Sequence, residues 1–178
     1  MDGVPALIYW LNGPFGAGKT TTSRELVKLL PDAHLFDPET VGFLLKHVIN
    51  EPVDDFQHWA AWRALVVETA VQLLDHWNGP LVVPMTLLRE PYAKEIFDGL
   101  AARGVDVRHL VLHATAEELT RRIENDQVEA QAKGWRLQHL ESYEEARGWL
   151  GRTAEVIDTT GIPATEVAAR IVSTRSQP

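Results

Sequence analysis

Gly13-Pro14-Phe15-Gly16-Ala17-Gly18-Lys19-Thr20 fits the pattern G-x-x-x-x-G-K-[ST] at every fixed position. An apolar run from Ala6 to Leu11 leads into it, and a helix-like segment ending near Leu30 leads out. Strand, glycine loop and helix in that order read as a phosphate-binding P-loop. Glycines let backbone N–H groups close around a polyphosphate, and the helix N-terminus adds partial positive charge facing the anion. In this reading Lys19 reaches the outer phosphates and the Thr20 hydroxyl holds Mg²⁺. The nucleotide-binding set expected here is Gly13, Phe15, Gly16, Ala17, Gly18, Lys19, Thr20 and Thr21. Thr21 and Thr22 are expected on the helix surface rather than as second metal ligands. A glycine turn opening an ordinary helix would explain the same letters, but not the buried-type strand in front of them.

Downstream of the loop, apolar runs at Ala33–Phe36, Leu81–Leu88, Val107–Ala114 and Ala154–Ile157 read as four further strands. Helical patterns lie between them. Trp59, Trp62, Val66, Ala70, Leu73 and Trp77 recur at spacings of three and four, the mark of one apolar helix face, and a core role is the expected one. Thr115-Ala116-Glu117-Glu118 and Ser142-Tyr143-Glu144-Glu145 both match the capping box, which predicts helix starts at Thr115 and Ser142. Pro91 and Pro163 suit first turns, and Gly104 suits a helix end. Strands alternating with helices predict an α/β fold, a parallel sheet with helices on both faces and ligands at the carboxyl ends of the strands. Residues 124–141 are polar and contain Gly134. They read either as a mobile flap or as a helix that continues and turns.

At 178 residues the chain fits one domain with a substantial core. Its net charge of −8 disfavours nucleic acid as a partner. With no cysteine, disulfides, thiolate metal sites and a Cys nucleophile are excluded. The seven histidines show no metal-ligand spacing and are expected at core edges or on the surface. Neither a signal peptide nor a membrane span is visible, so a cytoplasmic protein is expected.

Candidate chemistry follows the strand ends. Asp37, before Pro38, is placed to accept the proton of an attacking hydroxyl or to hold Mg²⁺, and it also suits a helix N-cap. The third strand lacks the terminal aspartate of an ordinary Walker B element, which puts Thr86 and Arg89 where the site would be. Arg89 is read as a phosphate or acceptor contact, or as a residue merely flanking the next helix. Arg121 and Arg122 after the fourth strand, and Arg136 in the 124–141 segment, include at least one expected partner for the charge on a transferring phosphoryl group. Asp158-Thr159-Thr160-Gly161, after the fifth strand, borders an adenine or forms a turn and helix cap.

Taken in order, Ile8 to Thr22, Phe36-Asp37-Pro38-Glu39, Leu81 to Leu87 and Val156 to Thr160 resemble the ATP-binding tunicamycin-resistance proteins. That family sits within the nucleoside-monophosphate-kinase and small-molecule-kinase group of P-loop proteins. The resemblance covers essentially the whole chain. It implies a three-layer P-loop NTPase fold, a five-stranded parallel sheet in order 2-3-1-4-5, and a short lid after the fourth strand. It also implies ATP and Mg²⁺ as ligands, phosphate-loop roles for Gly13, Gly16, Gly18, Lys19 and Thr20, and acceptor-side roles for Asp37 and Arg89. Family members are linked to peripheral membrane association. The C-terminal stretch 164–178 is short and mildly amphipathic, so no membrane binding is expected.

The leading functional expectation is an ATP-dependent phosphotransferase acting on a hydroxyl of tunicamycin or a related nucleoside glycoside. In that reading Lys19, Asp37, Arg89, Arg122 and Arg136 are the catalytic set, Thr20 and Asp37 the Mg²⁺ ligands, and Asp158 an added nucleotide contact. The partners are a nucleotide and a small-molecule acceptor. Two alternatives stay open: an ATP-bound protein that sequesters the drug unmodified, and a metabolic nucleoside or nucleotide kinase.

Overall fold

A computed structural model describes residues 6–127 and 130–174. Residues 1–5 and 175–178, on which the expectation of no leader and part of that on the C-terminal stretch rest, lie outside the described residues.

The strands are β1 Leu7–Asn12, β2 His34–Leu35, β3 Leu81–Pro84, β4 Asp106–His113 and β5 Glu155–Asp158. The helices among the described residues are α1 Lys19–Leu29, α2 Glu39–Val48, α3 Ala60–Trp77, α4 Glu90–Ala101, α5 Ala116–Asn125, α6 Lys133–Thr153 and α7 Ala164–Ser173. All strand pairs are parallel, in the order β2-β3-β1-β4-β5 that the resemblance implied.

β1 shows why this sequence builds three layers. It lies between β3 and β4, so both of its faces are covered and five of its six residues are buried. Side chains alternate along a strand. Ile8 and Trp10 accordingly enter the core shared with α3, α4 and α6, while Tyr9 and Leu11 enter the one shared with α1, α5 and α7. β3 repeats the division, with Leu81 and Val83 on the first side and Val82 on the second.

The tryptophan stripe of α3 is core in its middle. Trp62, Val66 and Ala70 are buried, Leu74 takes the place expected of Leu73, and Trp77 emerges at the helix end to stack on His34 at 4.2 Å. Thr115 caps α5 as expected, its hydroxyl accepting the Glu118 N–H.

β3 ends at Pro84, short of the apolar run to Leu88, at the residue whose missing N–H marks a strand end. Two local expectations fail. Ser142 starts no helix: α6 runs unbroken through it, and the favourable burial of Arg136, Tyr143, Ala146 and Trp149 on one side outweighs a local cap signal. Thr22 is buried on the inner face of α1, not on the surface.

Gly42 has a packing reason. A Cβ there would stand 2.7 Å from the Phe56 ring, so α2 lies directly on the 3₁₀ turn Phe56–His58. No described helix is long and apolar enough to cross a membrane.

Candidate active site

A single cleft of about 1370 Å³ opens along the carboxyl ends of the strands. It is where a doubly wound sheet places its ligands. One end is built by the loop between β1 and α1. Gly16 and Gly18 have φ of 80° and 89°, and Gly18 caps α1 in the left-handed region with no side-chain acceptor. The first turn of α1 carries no acidic residue. A helix N-terminus left uncapped in this way, beside a lysine, fits the phosphates of a nucleotide.

Lys19 Nζ donates to Gly13 O at 2.9 Å and Pro14 O at 2.8 Å and stands 5.4 Å from the centre of the Phe15 ring. Thr20 and Thr21 are exposed in the same cleft. Phe15 packs on α6, with Trp135 at 5.0 Å and His139 at 5.8 Å. The first turns of α6 therefore form the wall facing the loop. They belong to the 124–141 segment, whose described residues are the end of α5, the 3₁₀ turn Ala130–Ala132 and the start of α6.

The arginines are less alike than their letters suggest. Arg122 is tied down at four points: Nε to Glu118 at 2.7 Å, one terminal nitrogen to Gly16 O and Thr159 Oγ1, the other to Thr159 O at 2.7 Å. It joins the phosphate loop to the end of β5. Glu118 accepts from both Arg122 and Arg121, and these hydrogen bonds lower its carboxyl to about 2. Arg136 is buried, pairs with Asp126 at 2.7 Å and lies 5.7 Å from the Phe15 ring. Asp158 is not among the described residues lining the cleft. Its carboxylate accepts the Thr160 N–H at 2.8 Å, which lowers its pKa and fixes the turn. The neighbouring Thr159, buried, lines the cleft in its place.

Asp37 and Arg89 line the same cleft. Asp37 is exposed, and its Oδ1 accepts the Glu39 N–H at 3.0 Å, so the capping role and a place in the cleft coexist. Arg89 precedes α4, lines the cleft and rests 5.6 Å from the Tyr92 ring. Residues of the stretch between α2 and α3 line it as well. His58 Nδ1 meets Tyr92 OH at 3.1 Å, its Nε2 faces Asp54 at 3.6 Å, and Gln57 Nε2 donates to Thr86 O at 3.0 Å. A proline and scattered acids signal a loop but not which of its side chains return to the site.

Thr20 and Asp37 share this cleft, and both offer the hard oxygen atoms that Mg²⁺ prefers. Among the described residues no group of three His, Cys, Asp or Glu side chains could hold a metal ion. The remaining ligands would be phosphate oxygens and water.

His109 lies behind the phosphate loop, and burial lowers its pKa to about 4 from 6.5. Between those values the unfolded chain takes up the proton before the folded one, so stability is full above pH 6.5 and falls as pH drops towards 4. The loss reaches about 3 kcal/mol. Denaturant midpoints measured across this window should fall with pH in the wild type, and His109→Gln should remove that part of the slope.

The surroundings of this chain among known proteins agree with the geometry. No curated protein matches the sequence significantly. The tunicamycin resistance protein of Deinococcus radiodurans has a similar structure, with a TM-score of 0.73 and 27% identity, over 97% of this chain and 98% of that one. A gluconokinase from Sinorhizobium meliloti matches at 0.63 and 19% identity, over 97% of this chain and 98% of that one. The APS kinase of Mycobacterium tuberculosis, in complex with AMPPNP and APS, matches at 0.62 and 14% identity, over 97% and 99%. The latter two identities speak for the fold alone, which is that of P-loop kinases, a fold that binds nucleotides. A family model described as an AAA domain matches residues 8–148, and the chain belongs to that family.

Proposed function

We propose that the protein is an ATP-dependent phosphotransferase acting on a hydroxyl group of a small molecule, with tunicamycin or a related nucleoside glycoside as acceptor. The observation that carries this reading is that the phosphate loop with Lys19 and Thr20, and the acceptor-side pair Asp37 and Arg89, line one and the same cleft. When bound, ATP would supply the phosphoryl group and Mg²⁺ would offset charge on its oxygens. Lys19 would leave the Gly13 and Pro14 carbonyls to bind the outer phosphates, and Thr20 and Asp37 would hold the metal. Arg122 and Arg136, both near the loop, offset charge on the phosphoryl oxygens. Asp37 orients the acceptor hydroxyl and takes its proton, while Arg89 holds the acceptor. The start of α6, within the 124–141 segment, acts as the lid that keeps water out.

The acceptor end supports an uncharged, hydroxyl-rich molecule over a phosphorylated one. Asp37, Glu39, Asp54 and Asp55 bring four carboxylates to it, against the cations Lys46 and Arg89. Carboxylates accept hydrogen bonds from sugar hydroxyls and repel an acceptor phosphate. The tunicamycin resistance protein of D. radiodurans, similar over nearly the whole chain, supports the drug as the first acceptor to try.

The test is mass spectrometry of tunicamycin incubated with the protein, Mg²⁺ and ATP. A phosphate-sized mass gain is expected. Drug recovered unaltered, but bound in proportion to the protein, would overturn transfer in favour of sequestration. Modification of nucleotides in place of the drug would favour the metabolic kinase. Asp37→Asn should lower turnover by roughly 10²-fold or more while changing ATP affinity little. An unchanged turnover number would remove Asp37 from the mechanism.

A further inference from the structure

The ladder between β1 and β3 closes with the Met85 N–H donating to Leu11 O at 3.1 Å, just past the end of β3. From there on, the segment bearing Thr86 and Arg89 has no strand pairing to hold it beside the phosphate loop. Side chains take over that task, and Asn12 makes the most direct link. Asn12, the last residue of β1, is fully buried. Its Oδ1 accepts the N–H groups of Gly13 and Leu87, both at 2.8 Å, and its Nδ2 reaches Leu87 O at 2.8 Å and His109 Nε2 at 3.1 Å.

A primary amide has two donors and, on its oxygen, two lone pairs, and all four are used here. Its orientation is dictated, because a flipped amide would set its NH₂ group against two N–H donors. Nδ2 is therefore the donor to His109, and His109 Nε2 must offer a lone pair. The rings of Phe97 and Trp149 enclose His109, with centroids 4.9 Å and 6.1 Å away. Burial is the main influence on its ionisation and lowers its pKa, with the Thr153 backbone opposing it. A second link runs parallel to the first: Thr86 Oγ1 donates to Gly13 O at 3.0 Å. The Gly13 carbonyl is thus tied directly to the segment beyond β3, while its N–H shares the Asn12 oxygen with the Leu87 N–H.

The geometry assigns Asn12 and His109 to a positioning pair that registers the first residue of the phosphate loop against the acceptor-side segment 86–89, with His109 acting through Asn12. Neither residue touches substrate. What they fix is the spacing between the two ends of the cleft, where a displacement of about 1 Å can cost roughly 10²-fold in rate.

Two measurements test the pair, and the second rests on the nucleotide-binding reading proposed above. In the first, the ring nitrogens of His109 are followed by NMR in the free protein. The neutral ring with hydrogen on Nδ1 is expected from about pH 8 down to about pH 5.5. A ring carrying its hydrogen on Nε2, or one charged at pH 6, overturns the proposal. Asn12→Asp should convert His109 into a charged partner and move its titration above its ordinary value of about 6.5.

In the second, ATP affinity is measured by calorimetry. His109→Gln keeps an amide oxygen for Asn12 to donate to and should stay within about threefold of wild type, whereas His109→Phe and Asn12→Ala should each lose roughly tenfold or more. Equal affinities for the Gln and Phe variants overturn the proposal, and they decide it even where Asn12→Ala fails to fold. A wild-type protein that binds no ATP would defeat the phosphotransferase reading, while the ring tautomer would still decide the pair.

Discussion

Lys19→Ala is expected to leave a folded protein that no longer transfers phosphate. In the structure the ammonium rests on the Gly13 and Pro14 carbonyls at the edge of an open cleft. Water can replace it there, so the variant should lose no more than about 1 kcal/mol of stability. Its chemical role has no substitute: a fixed positive charge on the outer phosphates, where water is excluded, is worth roughly 10²–10³-fold in rate or more. Thermal melting beside the mass-gain assay checks both halves. A melting temperature near wild type with transfer below detection is the expected pair of results. Undiminished transfer would sink the phosphate-loop assignment itself. Arginine should not restore the activity, since its wide planar head cannot occupy the site of a compact ammonium.

Gly13→Ala should be strongly destabilising. Gly13 has φ of 128°, a conformation closed to other L-residues, and a Cβ there would collide with the Leu112 carbonyl oxygen in β4. The obstacle is backbone in a central strand, which has no rotamer to move to. A loss of at least about 3 kcal/mol is expected, or roughly 6–12 °C in melting temperature for a domain of this size. Gly161 supplies the control, because its φ is also positive, at 66°, but no heavy atom lies within 4 Å of the added methyl. Gly161→Ala should cost only about 1–2 kcal/mol of conformational strain. Equal losses at the two positions would mean that the collision is relieved in some unforeseen way.

Much of the phosphate end was legible in the sequence because its chemistry is local. A loop that wraps phosphate with its own N–H groups needs its glycines, lysine and threonine within eight residues, so the pattern marks it without any knowledge of the rest of the chain. β1 was legible for a related reason: a strand covered on both faces must be apolar throughout, and Ile8 to Leu11 are. The capping box at Thr115 held, while the equivalent letters at Ser142 did not. A cap is worth about 1 kcal/mol, less than the tertiary contacts that carry α6 through that point. The acceptor end was only half visible. Asp37 stands just past β2 and Arg89 just before α4, and both were candidates by position. His58 and Gln57 come to the cleft through a loop whose path depends on Tyr92 and Thr86, about thirty residues away. Asn12 was hidden in plain view. Its neighbours in the chain suggest a strand end, and nothing local tells that its amide is spent on Leu87 and His109.

The seat of α2 on Phe56, which the missing side chain of Gly42 permits, has a bearing on how acceptor choice can change. Asp37 leads into α2, and Gln57 and His58 follow Phe56, so both walls of the acceptor end are clamped to the same junction. A bulkier acceptor cannot be admitted by easing one of these walls outward, because the other is dragged along and the mouth keeps its width. Room has to come from the side that is hinged elsewhere, the exposed ring of Trp135 and its neighbour His139 on α6. Variants selected for new acceptors should therefore collect their first substitutions on α6, and leave Gly42 and Phe56 alone.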